Sequence, residues 1–489
     1  MSHDFGESRL LINGVLRNAE HGQTFDNIDP ATEAILGQVA DASTADMGEA
    51  IAAARSAFDD LDWSTNHAFR AKCLRQLHQA LKDNIEELRF VTNKEVGAPM
   101  GIVEGPQCDG PIDMMEWTLD YLDSFEWERD IGNYESVGVL SKRIIRKEAA
   151  GVVAAITPWN FPVQIILAKV IPALAAGCTV ILKPATDTPW TATVFSRLVA
   201  ECTDIPPGVL NVVTSLDPVP TGDMLTSDPR VDVVSFTGST EVGKHIMRQG
   251  ADSLKRVFLE LGGKSANIVL EDADMSAALL SCLAVCFHAG QGCAIPTRLL
   301  VPKAKLAEAE ALLETYFGFI TYGNPNSGEI MGPLISAKQR ERVLAHIEKA
   351  KSDGARLLLG GGIPDHLDTG FYVQPTVFSD VHPDAALAQE EVFGPVLAVI
   401  PYEDEADAIA IANNSLFGLS GMVWSETDEH ALAVARQIRT GTINVNGGNF
   451  LAPDAPFGGY KHSGIGREMG PEGFEEYLET KTIAIKTEA

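Results

Sequence analysis

Cys293 stands at the end of Gly290-Gln291-Gly292-Cys293. The glycines allow close backbone approach and a strained turn, as a nucleophile presented into a cleft needs. A cysteine thiolate can attack an aldehyde carbonyl to give a thiohemiacetal, and loss of hydride then leaves a thioester. The competing reading of this residue is a buried cysteine after a helix. Cys282 and Cys286 precede it at i, i+4 spacing and are expected to be core.

Three other segments place polar residues directly after apolar runs. Glu260 follows Val257-Phe258-Leu259 and precedes Leu261-Gly262-Gly263-Lys264. A carboxyl ending a buried strand can have a raised pKa and act as a general base, for instance on a hydrolytic water. Taken alone, it reads equally as a surface Glu paired with a lysine. Phe236-Thr237-Gly238-Ser239-Thr240-Glu241-Val242-Gly243 follows one strand candidate and opens a helix. Small residues there leave amide N–H groups free for a pyrophosphate, and the helix dipole adds attraction. An ordinary N-cap at Ser239 is the alternative. Asn160, in Pro158-Trp159-Asn160-Phe161-Pro162, offers a neutral donor suited to an oxyanion. Lys183-Pro184 ends another strand, where the lysine either meets ribose hydroxyls and phosphate or is solvated.

The elements that must carry these residues alternate. Strand candidates at Val152–Ile156, Thr179–Leu182, Val209–Val213 and Val231–Phe236 are interleaved with helices at Gln164–Ala175, Trp190–Cys202 and Ser239–Gln249. Such alternation predicts a parallel sheet with helices on both faces and ligands at the carboxyl ends of the strands. A second alternating stretch runs from Ser265 to about residue 445, with a strand at Ala266–Leu270 and one long helix through Ala277–His288. Residues 8–40 read as short strands and turns, Thr44–Glu95 as helical, and Ser136–Arg146 as strand-like.

The chain has 489 residues, too many for one core, and two to four domains are expected. Its net charge of −29 disfavours nucleic acid and anionic lipid as partners. Seven cysteines with no C-x-x-C pair argue against a disulfide framework or a metal site, and for a reducing cytoplasm. Met1–Leu10 is polar, without the apolar core of a leader peptide. The apolar stretch Val163–Leu182 contains Lys169, Pro172 and Gly177, so a buried helix and a strand are expected there, not a membrane span.

Taken together, the segments above resemble the aldehyde dehydrogenase superfamily. The match also covers Lys183–Pro189, Glu390-Glu391-Val392-Phe393-Gly394-Pro395, Pro456-Phe457-Gly458-Gly459 and Ser463-Gly464-Ile465-Gly466-Arg467-Glu468, all in the family's order. The resemblance implies an α/β fold with a Rossmann-like cofactor domain (1–127 and 149–260), an α/β catalytic domain (261–455) and a small β oligomerisation flap (128–148 and 456–489). It implies Cys293 as nucleophile, Glu260 as base, and Asn160 with the Cys293 N–H as oxyanion hole. NAD or NADP would be held by Lys183 at the adenosine ribose, Ser239 at the pyrophosphate, and Glu391 and Phe393 at the nicotinamide end. Ile156, Trp159, Thr186, Gly238, Gly243 and Leu261 complete the expected contacts. A homodimer or homotetramer is the expected assembly, and a small-molecule aldehyde the expected partner.

Two departures from the family pattern bear on the cofactor. NAD-preferring members usually carry Glu where this chain has Thr186, and Thr removes a charge that would repel a 2′-phosphate. Ser215 and Asp217 replace a glycine pair often found after the Val-Val-Thr strand. The presence of Glu260 favours hydrolysis to a free acid, because CoA-acylating members usually lack this base. By resemblance the substrate pocket would include Ile165, Ala168, Phe287, Ile295, Leu451 and Phe457, with Ala168 small where many relatives carry a bulky aromatic. The set holds no Arg or Lys, so apolar medium-chain or aromatic aldehydes are expected. Semialdehyde or betaine-aldehyde specificity, or a catalytically silent binding protein, are the alternatives.

Overall fold

Short apolar runs ending in a polar residue become the strands of a parallel sheet. Val152–Ile156, Thr179–Lys183 and Val233–Thr237 are buried along almost their whole length, as strands covered by helices on both faces must be. The computed structural model of the chain describes residues 5–487, so the first four residues of the polar Met1–Leu10 segment lie outside them. In spatial order the first sheet runs Gly464–Ile465, Arg256–Glu260, Val233–Thr237, Val152–Ile156, Thr179–Lys183, Leu210–Val212, Leu10–Ile12, Val15–Arg17. Its central strands are parallel, and the flanking additions at each edge are antiparallel.

The register of this sheet decides what shares its carboxyl edge. Ile156 pairs with Lys183 on one side and with Phe236 on the other, and Thr237 pairs with Glu260. Lys183, Ile156, Thr237 and Glu260 therefore end adjacent strands at one rim.

The second sheet runs Arg356–Leu359, Thr376–Ser379, Val396–Tyr402, Pro296–Pro302, Ser265–Val269, Gly421–Trp424, Asn444–Val445. A separate apolar core surrounds each large sheet. Glu128–Ser136, Val139–Ala149 and Leu478–Lys486 form a third, antiparallel sheet, most of it exposed. The strand-like run Ser136–Arg146 is thus a hairpin, turned at Val137 and Gly138, both at positive φ.

The apolar stretch Val163–Leu182 divides into helix Pro162–Ala176 and strand Thr179–Lys183. Among the described residues, no helix is long and apolar enough to cross a membrane. The single long helix expected through Ala277–His288 is not formed. An α-helix spans Met275–Leu280, a 3₁₀ segment follows over Ser281–Gly290, and the chain leaves helical geometry at Phe287, His288 and Ala289. His288 and Ala289 sit at φ 48° and 50°, a turn that re-aims the chain toward Cys293.

Helix Pro189–Cys202, which follows Lys183 and its loop, begins without a cap from its own Thr188. Glu95 supplies one from elsewhere. Its carboxyl accepts hydrogen bonds from the N–H groups of Trp190 at 2.8 Å and Thr191 at 2.7 Å, from Asn27 Nδ2 at 3.0 Å, and from the Thr191 hydroxyl. Burial pushes this carboxyl up to about 7, against the pull of those donors. Glu95→Ala leaves the donors unpaired, and we expect a loss of about 2–4 kcal/mol. Thermal unfolding should show a clear drop in midpoint for Glu95→Ala and a smaller one for Glu95→Gln. An unchanged transition in Glu95→Ala would remove Glu95 from this role.

Candidate active site

Glu260 ends strand Arg256–Glu260, and four residues later strand Ser265–Val269 begins in the other sheet. Leu261-Gly262-Gly263-Lys264 is therefore the crossing between the sheets. Gly263 is required by space, and Gly262 leaves room for a carboxylate. A Cβ at Gly262 would lie 2.5 Å from Glu391 Oε2, and one at Gly263 would lie 2.2 Å from the carbonyl oxygen of Cys293. The Gly263 N–H donates to Glu391 Oε1 at 2.8 Å, and Ser463 Oγ donates to the Gly262 carbonyl at 2.7 Å.

The loop carrying Cys293 is fastened on its other side. Gly290 has φ +72°, and a Cβ there would lie 2.1 Å from the Gly394 carbonyl oxygen. Gln291 is buried, donates to the His288 carbonyl at 3.0 Å and accepts from the Ile335 N–H at 2.9 Å. Asn160 is also buried, and its Nδ2 donates to the Gln291 carbonyl at 2.9 Å. Gln107 Nε2 donates to the Asn160 carbonyl at 2.6 Å. The Asn160 amide is thus oriented by one bond and keeps a second N–H for a ligand.

Cys293, Glu260 and Asn160 line one cleft of about 620 Å³. Trp159, Gly238, Ser239, Leu261, Glu391 and Phe393 share its wall. The rings of Trp159 and Phe393 meet edge to face, with centroids 5.4 Å apart. Ile156, Lys183, Thr186 and Gly243 lie outside this wall. Ile156 and Lys183 are at the neighbouring strand ends. At Gly243 a Cβ would lie 2.8 Å from the Leu261 side chain, so helix Thr240–Ala251 packs closely on the strand end. Ser239 caps that helix, accepting from the Val242 N–H at 3.4 Å. The Thr237 hydroxyl beside it is buried without a hydrogen-bond partner.

Glu260 Oε1 is likewise buried without a hydrogen-bond partner among the described residues. Burial pushes the Glu260 carboxyl well above the usual carboxylate range; the nearby Glu468 adds to this and Lys169 opposes it. The Cys293 thiol is raised as well, first by burial and then by the charges of Glu260 and Glu391. Behind Glu260 lies a polar group that the sequence did not reveal. Lys169 is fully buried, donates to Ser235 Oγ at 3.1 Å and pairs with Glu468. Tyr477 donates to the same Ser235 oxygen at 3.2 Å.

Gln339 and Arg342, also in the cleft wall, were missed. They lie on helix Ala337–Ser352, whose sequence reads as a solvated face; their i, i+3 spacing was the available signal. Of the residues expected around the substrate, Ala168 lines one of the described cavities, a second one of about 570 Å³ between helices Asp109–Ser124 and Pro162–Ala176, with Met115, Trp117 and Phe474. Ile165, Phe287, Ile295, Leu451 and Phe457 do not line it. Ile295 lies over Gly292, Phe457 stacks on Phe450 at 5.7 Å, and Phe287 is half exposed.

Among the described residues no group of three or more His, Cys, Asp or Glu is placed to hold a metal ion. Residues 17–483 match the model of the aldehyde dehydrogenase family. A 3-succinoylsemialdehyde-pyridine dehydrogenase from a Pseudomonas species is 44% identical over 460 residues, covering 93% of this chain and 94% of that protein. A cysteine-to-alanine mutant of aldehyde dehydrogenase C from Pseudomonas syringae, solved with NAD+ and octanal, superposes with a TM-score of 0.93 at 38% identity, covering 99% of this chain and 98% of the other. An aldehyde dehydrogenase from Mycobacterium tuberculosis with NAD+ gives 0.93 at 41% identity and 98% coverage of both. Sequence, fold and the joined strand ends agree: the chain belongs to the aldehyde dehydrogenase family.

Proposed function

We propose that this chain oxidises apolar medium-chain or aromatic aldehydes to carboxylic acids with NAD or NADP, through a thiohemiacetal and then a thioester on Cys293. The carrying observation is a buried carboxyl, Glu260, with an unbonded oxygen in the same cleft as a raised thiol and a fixed Asn160 amide. Burial raises this carboxyl above the ordinary carboxylate range, which makes its ionised form a stronger base.

The cleft suits a dinucleotide. The N-terminus of helix Thr240–Ala251 and Ser239 would face the pyrophosphate, Glu391 the nicotinamide ribose, and Trp159 and Phe393 the ring. Lys183 would meet the adenosine ribose, with Ile156, Gly238, Gly243 and Leu261 as the surrounding wall. The relatives from P. syringae and M. tuberculosis hold NAD+. When bound, the cofactor accepts the hydride released from the substrate carbon.

Glu260, as the carboxylate, first takes the Cys293 thiol proton and releases it to solvent, and the sulfur bonds to the aldehyde carbon. The oxygen that gains charge lies against Asn160 Nδ2 and the Cys293 N–H. After hydride loss the carbon is held as a thioester. Glu260 then takes a proton from water, the new C–O bond forms, the C–S bond breaks, and the acid leaves. Lys169 and Glu468 position and bias Glu260 from behind.

Octanal in the P. syringae relative and the apolar wall around Ala168 support the substrate class. That wall contains no Arg, Lys, Asp or Glu, which weighs against a charged distal group as in a carboxylate semialdehyde or betaine aldehyde. The exposed sheet of Glu128–Ser136, Val139–Ala149 and Leu478–Lys486 is the proposed contact of a homodimer or homotetramer. Seven unpaired cysteines suit a reducing cytoplasm.

Cys293→Ala should abolish steady-state oxidation of octanal while calorimetry still records NAD binding; turnover surviving in this variant would sink the nucleophile assignment. Glu260→Gln should lower turnover by about 10²–10⁴-fold and accumulate acyl-enzyme, visible as a burst of reduced cofactor. Because burial and Glu468 raise the Glu260 carboxyl, the basic form is lost as pH falls through a value above the ordinary carboxylate range. The acidic limb of the wild-type rate profile should lie there and vanish in Glu260→Gln. For the second cavity, Ala168→Trp should lower kcat/KM for benzaldehyde and octanal more than for acetaldehyde. An unaltered selectivity profile would remove this cavity from the substrate path.

A further inference from the structure

The two departures from the family pattern, at Thr186 and at 215–217, meet in space. Leu182 pairs with Val212, and the Val213 N–H donates to the Leu182 carbonyl at 2.9 Å, so these strands end side by side. The Thr186 hydroxyl reaches across to the carbonyls of Ser215 at 3.0 Å and Leu216 at 3.3 Å. Its proton is committed to the protein. Ser215 is committed too, its Oγ lying 2.8 Å from Thr221 Oγ1. Asp187 follows Thr186 in the chain, Asp41 Oδ1 accepts from the Leu216 N–H at 2.8 Å, and Asp217 follows the two carbonyls. Asp217 opens helix Pro218–Ser227, with Oδ1 accepting from the Val219 N–H at 3.0 Å, and the residue is exposed. Oδ2 has no hydrogen-bond partner among the described residues. Asp217 shares its surroundings with Lys183: burial lowers the Lys183 amine to about 8, and the Asp217 charge pulls it back up.

We infer that Asp217 is a specificity-determining residue that turns this site toward NAD. Its free carboxylate oxygen accepts a hydrogen bond from the adenosine ribose and repels a 2′-phosphate, replacing the charge missing at Thr186. This rests on the cofactor site described above. A 2′-phosphate carries about two negative charges at neutral pH, and a carboxylate within a few ångströms is enough to disfavour it about tenfold or more at a half-screened surface.

The test is calorimetric titration of the full-length protein with NAD and with NADP. Wild type should bind NAD at least about tenfold more tightly than NADP. Asp217→Asn and Asp217→Ser keep a cap acceptor for Val219 and remove the charge, so either folded variant gives the answer. Both should tighten NADP by about fivefold or more and weaken NAD through the lost ribose hydrogen bond, so the NADP-to-NAD affinity ratio rises by about tenfold or more. Equal affinities in wild type, or an NADP-to-NAD ratio unmoved by loss of the charge, would overturn the inference while leaving the cofactor site intact. Wild type that binds neither dinucleotide would overturn the site and the inference together.

Discussion

Where the chain crosses from one sheet to the other, three stretches of backbone come into direct contact. Gly263 lies against the Cys293 carbonyl, Gly262 against the Glu391 carboxyl, and Gly290 against the Gly394 carbonyl. No side chain fits against either carbonyl. The consequence is that Glu260, at the end of one sheet, and Cys293, in a loop of the other, face one cleft. Glu391 is held in the same act, since its carboxyl accepts from the Gly263 N–H. Ser463 closes the arrangement by donating to the Gly262 carbonyl, while its own carbonyl accepts from the Leu261 N–H at 2.9 Å. Two apolar cores thus share a junction built largely of main chain and fastened by the Glu391 and Ser463 side chains.

Such a junction is dry, and dryness governs its charges. A thiol and a buried carboxyl at one site resist ionising together, so the resting site holds at most one anion and avoids the desolvation cost of two. Both groups accordingly lie above their ordinary values. The thiol proton therefore moves first to a neighbouring carboxylate. Lys169 and Glu468 are the counterweight: one lowers and the other raises the Glu260 carboxyl. Glu468 belongs to the segment whose backbone pairs with Phe457, tying the C-terminal part of the chain to the electrostatics of the site.

What the sequence made legible follows from periodicity and chain punctuation. Apolar runs ending at Lys183, Thr237 and Glu260 mark strand ends, and parallel pairing must bring strand ends to one rim. The break at Phe287–Ala289 was not legible. Ser281–Gly290 is apolar enough to continue a helix, and only tertiary contact on Gly290 and Gln291 forces the left-handed turn. Lys169 was hidden for a related reason, because a lysine inside an apolar helix shows its purpose only when its partners from Val233–Thr237 and the C-terminal segment arrive. The substrate wall was least legible. Apolar side chains carry no directional signal, and helix packing, not residue type, decides that Ala168 meets a cavity.

The substitutions at Thr186 and in the 215–217 loop are best understood as one structural choice. The loop turns the carbonyl oxygens of Ser215 and Leu216 toward position 186, and two acceptors there require a donor. Threonine supplies one. A glutamate carboxylate would meet both carbonyls with like partial charge and would have to swing away from them. A loop of this shape therefore favours a donor over an acid at 186 and leaves recognition of the ribose to the acid the loop itself brings. Asp217 comes from the residue directly after those carbonyls and is held by the helix it caps. The charge that discriminates between two cofactors has moved from one strand end to its neighbour, across a distance spanned by a single hydroxyl.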